Sequence, residues 1–458
     1  MKKLLTLLSL VAMLSSQAQQ ADTTLTDAQK IYGLSRFWQE ANYNYAYFAN
    51  VPNLNWDSAY QAFIPQVLAT KNIYEYYRQL QKFCALLKDG HTNVYFPNYI
   101  YDKRARRSFG DIKIELRNID GKAIVVNTAA KTSTIIPIGS EITEVNGMAT
   151  PEYIRQYVRP YVSQSASYIA DDWSVDYLLD GFLGDSIRIA YKKPNSKQTQ
   201  SLWLKREVKQ DVTWLNTSSN TIFQLTWLPG DIAKIDLNSF GNRKIVDTFI
   251  TALPALKKAK GIIIDLRQNG GGSSSHSASI LSYFTDSATI KGSKWWTREH
   301  RAAFKAWGTY AMQDSSQKGE WSDNARKYYK GIVWYEGGQM TMPNTAPKDQ
   351  RLSQTPLVVL FGHNTASAAE DFLIMLDGLG NRATTIGQRT FASTGQPMPF
   401  DLPGGGSARI CTKKDTYPDG RLFVGVGIVP QVEVNPTVDD YLKGRDVVVE
   451  KAVEVLKK

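Results

Sequence analysis

The spacing of apolar residues changes along this chain, and each change marks a different kind of element. From about Thr26 to Leu87 apolar side chains recur every three or four residues, in IYGLSRFWQEANYNYAYF, WDSAYQAFIPQVL and IYEYYRQLQKFCALL. That period places them on one face of a helix. It predicts a small helical bundle whose Tyr and Trp residues are core. Lys88-Asp89-Gly90-His91-Thr92 breaks the last helix, and Asn93 to Phe96 begins a strand. Over residues 109–207 the period drops toward two, in DIKIELRNI, KAIVVNT, SIRIAYKK and SLWLKREV, arranged around IIPIGSEITEVNGMATPEYI. Short strands with turn residues between them are expected there. From about Gln224 the apolar runs IAKIDL, GIIIDL, LVVLF and ATTIG alternate with helical patterns over 243–258, after the glycines, and over 366–379. This alternation predicts α/β layering with a largely parallel sheet. The expected division is therefore a helical domain at 26–100, a β-rich domain at 109–207 and an α/β core at 224–458. An insertion at 294–350, rich in Trp, Tyr and charge, is a candidate cover for the site.

The start of the chain needs separate treatment. MKKLLTLLSLVAMLSSQAQQ has two lysines, an apolar stretch from Leu4 to Leu14 and a small-residue exit at Ser16-Gln17-Ala18. This reads as a signal peptide over residues 1–18, cut after Ala18. No cysteine follows it, so a lipid anchor is not indicated. No later run approaches the roughly 20 apolar residues of a membrane span. The expected product is soluble and exported, either periplasmic or secreted. Loss of Lys2 and Lys3 lowers the formal charge from +11 to +9. The basic clusters, such as Lys103-Arg104-Ala105-Arg106-Arg107, are short and lack interleaved aromatics. They read as a solvated basic surface, not a nucleic-acid site. The two cysteines, Cys84 and Cys411, make neither a disulfide framework nor a metal-binding spacing.

Candidate chemistry concentrates in two places. Residues 356–371 read PLVVLFGHNTASAAED, a buried strand, a turn and the start of a helix. Ser367 falls where strand gives way to helix, so its hydroxyl meets the unpaired N–H groups of a helix N-terminus. The same residues spell the S-x-x-E capping box through Glu370, which leaves a purely structural serine as the alternative. Residues 261–272 read GIIIDLRQNGGG, a strand running into glycines whose N–H groups can turn toward a ligand oxygen. A plain glycine turn is the alternative, and neither dinucleotide nor P-loop spacing is present. Histidine is the usual base for serine at neutral pH, and the chain has only His91, His276, His300 and His363. Of these, His91 lies in an Asp-Gly-His-Thr turn.

Three separated segments, KDGHT, IDLRQNGGG and NTASAAED ahead of GQRTFASTGQPMPF, occur in an order that resembles the exported tail-specific (carboxyl-terminal processing) serine peptidases and their tricorn-type relatives. The Pro-x-Gly-Ser-x-Ile-x-x-Val-Asn-Gly string resembles the central segment of PDZ domains. The resemblance implies a ClpP/crotonase-like α/β core with an N-terminal helical domain and a PDZ-like β-rich module. It implies Ser367 as nucleophile, His91 as base, and an oxyanion hole from Ala368 with Gly270 or Gly271. The processing branch uses a lysine in a Thr-Phe-Gly-Lys-Gly string. Here the string is Thr390-Phe391-Ala392-Ser393-Thr394, so Ser393 stands in the lysine's place and a Ser-Lys dyad is not expected. The tricorn-like branch orients its histidine with a carboxylate shortly before a Gly-x-x-Pro-Asp string. Here Val424 holds that position, and Asp415, Asp419 and Asp89 are the candidates to replace it. The implied activity is an exported serine endopeptidase acting on unfolded or C-terminal polypeptide segments, with no metal or organic cofactor. The alternative is a non-catalytic protein of the same fold that binds a peptide or an apolar ligand.

Overall fold

The structure is a computed structural model that describes residues 24–217 and 221–458. The segment read as a signal peptide lies outside the described residues. Helices Asp27–Asn44, Trp56–Leu68 and Ile73–Ala85 form the N-terminal region. Each start is fixed locally. Thr26 and Gln29 exchange hydrogen bonds as a capping box, and the Asn55 and Asn72 side chains accept N–H groups of the first turns that follow them. Trp56 stacks on Phe83 at 4.2 Å between ring centroids, inside the bundle. The bundle does not close on itself. Leu34, Phe37 and Phe83 belong to one continuous core with Ile235, Phe240, Ile264, Phe361 and Phe372.

The β-rich module has its own core, built on Ile114, Val125, Ile142, Val145, Ile189 and Leu204. Its strands Ile112–Ile119, Lys122–Thr128, Glu141–Val145, Ser186–Lys192 and Thr199–Lys205 pair antiparallel. Asn146-Gly147, both at positive φ, close the hairpin to Met148–Ala149, as Asn-Gly turns do. Helix Ser167–Asp176 follows the segment that joins the module to the site.

The third layer is a six-stranded sheet in the order Phe223–Leu228, Ile232–Leu237, Gly261–Asp265, Leu357–Phe361, Thr384–Gly387, Val432–Glu433. The first pair is antiparallel and the rest are parallel. Gly261–Asp265 and Leu357–Phe361 are buried at every position, which is why they read as unbroken apolar runs. They are neighbours, and their carboxyl ends deliver the glycine loop and the Ser367 loop side by side, where open α/β sheets bind ligands. The fold is thus an α/β core with an N-terminal helical region and a β-rich module.

The insertion is a long hairpin, Thr289–Arg298 with Trp334–Pro343, carrying helices Ala302–Gln313 and Glu320–Tyr329. It pairs with Lys413–Thr416, and His300 stacks on Tyr43 at the end of the first helix. Among the described residues, no helix is long and apolar enough to cross a membrane. Cys84 and Cys411 are both free and buried.

Candidate active site

Ser367 is held in an unusual backbone conformation, φ 56° and ψ −122°. A non-glycine residue there carries strain of roughly 1–3 kcal/mol. The contacts around it hold the turn. Ser367 N–H donates to the Glu370 carboxylate at 3.1 Å, and Ala366 N–H donates to the Asn269 carbonyl at 3.1 Å. Glu370 is fully buried and also accepts the Thr390 hydroxyl and the Ala392 N–H at 3.0 Å. Burial pushes its carboxyl up to about 8, against the pull of those three donors. Glu370 therefore braces the Ser367 turn and the Phe391–Ser393 loop together.

The glycine loop lies directly under the serine. A Cβ built on Gly271 would stand 2.7 Å from Ser367 Cβ and 2.8 Å from the Ala366 carbonyl, at a φ of +102°. Only glycine allows that approach. Gly271 N–H is already donated to Asn269 Oδ1 at 2.9 Å. Gly270 faces the cleft with nothing within 4 Å of its Cβ position, and no hydrogen bond from its N–H, or from that of Ala368 at the helix start, is among the described ones. Gly271 thus contributes close packing, while Gly270 and Ala368 keep donors available.

His91 is buried in the turn that follows helix Ile73–Ala85. Strand Asn93–Tyr95 anchors that turn to the core by pairing with Ser407–Cys411. His91 Nδ1 lies 2.7 Å from Ser393 Oγ, and Ser393 Oγ donates to Asp89 Oδ1 at 3.3 Å. With its proton given to Asp89, Ser393 can only accept from Nδ1–H. This assigns the tautomer that leaves Nε2 with a lone pair. Asp89 also accepts from Thr92 and Ser165 side chains and from the His91 N–H. Burial raises its pKa, and the donors oppose that rise. Burial, with Arg409 and Lys413 adding to it, pushes the His91 imidazole down to about 3, so the ring is neutral at ordinary pH. His91 and Ser367 line the same cleft of about 1160 Å³, and no hydrogen bond joins them among the described contacts.

The other candidates lie elsewhere. His276 Nδ1 meets the Phe240 carbonyl, His300 Nε2 meets that of Tyr43, and His363 pairs with Asp172. Lys413 pairs with buried Asp415 at 2.9 Å, and Asp419 pairs with Arg421. Among the three carboxylates weighed from sequence, Asp89 is the one connected to His91, and the connection runs through Ser393. The role of Ser393 was missed in the sequence, where it registered only as an absent lysine. Ser163 and Ser165, from the β-rich module, were missed as well. Ser163 Oγ donates to the Asp89 carbonyl at 2.8 Å, and Gly90 N–H donates to Ser165 Oγ at 3.1 Å. Among the described residues, none from 294–350 lines the cleft, and no cluster of His, Cys, Asp and Glu is built to hold a metal.

Residues 231–434 match the family model Peptidase family S41. Among solved structures, the chain is similar to mature CPAF, at 15% identity and a TM-score of 0.69, covering 94% of this chain and 97% of that one. Mature CPAF complexed with lactacystin matches at 15% identity and 0.68, covering 95% and 100%. A protein from Parabacteroides merdae ATCC 43184, provisionally named a peptidase, matches at 19% and 0.51, covering 94% and 97%. At these identities the structural matches speak for the fold. The family match takes in five of the six strands of the sheet, the glycine loop and the Ser367 turn, and on that ground residues 231–434 are a serine-type peptidase domain similar to family S41.

Proposed function

We propose that the protein is an exported serine endopeptidase that cleaves unfolded or C-terminal polypeptide segments by a Ser-His mechanism. The observation that carries this reading is the chain of contacts from His91 Nδ1 through Ser393 to Asp89. It holds the ring through Nδ1 and leaves Nε2 as the basic atom of a residue that lines the same cleft as Ser367. Ser367 Oγ attacks the scissile carbonyl carbon while His91 Nε2 takes its proton. The N–H groups of Gly270 and Ala368 receive the developing oxyanion, with Gly271 allowing the close approach. The imidazolium then returns the proton to the leaving amine, and water, deprotonated by the same ring, releases the acyl group from Ser367. Ser393 and Asp89 stabilise the imidazolium in both halves of the reaction.

Export rests on the leader read over residues 1–18. Recruitment of an extended peptide rests on the PDZ-like strand edge of the module, which supplies main-chain pairing and little side-chain selectivity. The decisive experiment is labelling with a fluorophosphonate probe. Wild-type protein should be labelled at Ser367, and Ser367→Ala should be neither labelled nor active while its thermal unfolding stays cooperative. Unchanged hydrolysis in Ser367→Ala would end the assignment. An unlabelled, inactive wild type would favour a peptide-binding protein.

A further inference from the structure

The cleft carries a charge imbalance that hydrolysis itself does not use. Arg78, Arg104, Arg106 and Arg409 line it, against the single carboxylate of Asp180. Two of these arginines are neutralised: Arg104 by Asp180 and Arg106 by Asp176, each at 2.7 Å. The other two have no ion pair among the described residues. The Arg78 guanidinium carbon sits over Tyr161, 3.4 Å from the ring centroid, and Nη1 donates to Gln81 Oε1 at 3.0 Å. Burial depresses its pKa, the mark of a cation short of counter-charge. Arg409 donates from Nε to Asn93 Oδ1 at 2.9 Å and from Nη2 to the Gly90 carbonyl at 3.4 Å. Gly90 precedes His91, so Arg409 stands beside the base. A guanidinium offers five donors, and both groups keep most of theirs unspent. Both are also fixed in plane by stacking or hydrogen bonds, which lowers the entropy lost when a carboxylate arrives.

We propose that this cleft selects peptides that carry a carboxylate within the bound segment, with Arg78 and Arg409 as the receiving groups. The inference rests on the peptidase reading above and names its substrate class. A free carboxylate can come from an acidic side chain or from a chain terminus. Either would form charge-assisted, bidentate contacts that glutamine or an amide cannot match. A lysine in the same place would meet two uncompensated cations. The basic balance of the chain, +11 in formal charge and +9 without Lys2 and Lys3, favours the same ligands at long range.

The test uses fluorogenic peptides with amidated ends, identical except for Glu, Gln or Lys scanned through the positions flanking the scissile bond. A fourth peptide carries Gln and a free C-terminal carboxylate. Wild-type kcat/KM should favour Glu over Gln by about tenfold at one or more positions, with the gap narrowing as salt rises. Arg78→Gln or Arg409→Gln should drive that ratio toward unity. The free-terminus peptide tells whether a terminal carboxylate serves in place of a side chain. Binding of the same peptides to Ser367→Ala protein, read by fluorescence polarisation, should show the same order. Equal binding of all four peptides, or a preference that survives both arginine substitutions, overturns the proposal. If wild type cleaves none of them and takes no fluorophosphonate, the peptidase reading fails, and the polarisation series still decides whether the cleft selects carboxylates.

Discussion

The hydroxyl of Ser393 joins two residues that lie 302 and 304 positions away in the chain. Its role is to hold one tautomer of His91, so its loss should act on catalysis more than on binding. Ser393→Ala is expected to lower kcat by roughly 10–10³-fold with little change in KM, and Ser393→Thr should recover much of the loss. Steady-state kinetics on one peptide checks this. Equal falls in kcat and stability, with no rescue by Thr, would mean a packing role only. The neutral ring sets a pH expectation too. His91 must be unprotonated to act, and its pKa is depressed from 6.5 to about 3, so kcat/KM should hold below pH 6 instead of falling there. Glu370 makes an opposite contribution to stability. Its folded pKa is raised to about 8 from 4.5, so the folded state binds the extra proton. That stability is fully present below about pH 4.5 and is lost as pH rises through 8. A melting series in which Glu370→Gln loses this fall between pH 4.5 and 8 would support the assignment. The proposed roles of Ser367 and His91 can be read from the sequence because each residue sits at a visible break, one between strand and helix and one in a turn. Ser393 was not, because nothing local distinguishes a loop serine that meets its partner only after the chain has folded. Local order also misleads: His363 is four residues from Ser367 but turns to Asp172.

At the scale of elements, the strand, loop and helix around Ser367 follow from the change of period in LVVLFGHNTASAAED, and the structure has Leu357–Phe361 and Ala368–Asp377 in those places. The close contact of this turn with the glycine loop predicts a sharp sensitivity. Gly271→Ala should cost roughly 1–3 kcal/mol of stability and, by pushing Ser367 out of line, about 10²-fold or more in kcat. Activity near wild type in that variant would show that the loop can yield. The insertion was less legible. Aromatic and charged composition fits a cover over a site as well as it fits a hairpin on another face, and only the pairing of Thr289–Arg298 with Lys413–Thr416 decides between them. Removing the two helices at its tip should therefore leave cleavage of a small ester substrate within about twofold, since none of their residues reaches the cleft.

For the whole molecule, the changes of apolar period between helical, β-rich and α/β stretches were visible in the sequence, but the sharing of one core by the helical region and the α/β layer was not. Amphipathic periodicity says that a helix face is buried without saying against what. The module is tied in differently, through Ser163 and Ser165 on the Asp89-Gly90 turn. Deleting it should depress ester hydrolysis, because the turn that presents His91 loses its clamp, and peptide hydrolysis further, because the strand edge proposed to capture substrate is lost with it. Loss on peptides alone would instead assign the module to substrate capture. Ser163→Ala with Ser165→Ala should weaken both activities by a smaller factor than deletion.

The distance in sequence between His91 and Ser393 has a further consequence for how such a protein is made. The proposed base, His91, is synthesised early, while Ser393 and the proposed nucleophile, Ser367, come near the end. Strand Asn93–Tyr95 finds its partner only when Ser407–Cys411 has emerged. No N-terminal fragment contains an assembled site, and contacts of such long range close late and slowly. On the proposed mechanism, a nascent chain on the ribosome is therefore inert toward itself and its neighbours. On the same proposed mechanism, hydrolytic power awaits completion of the polypeptide.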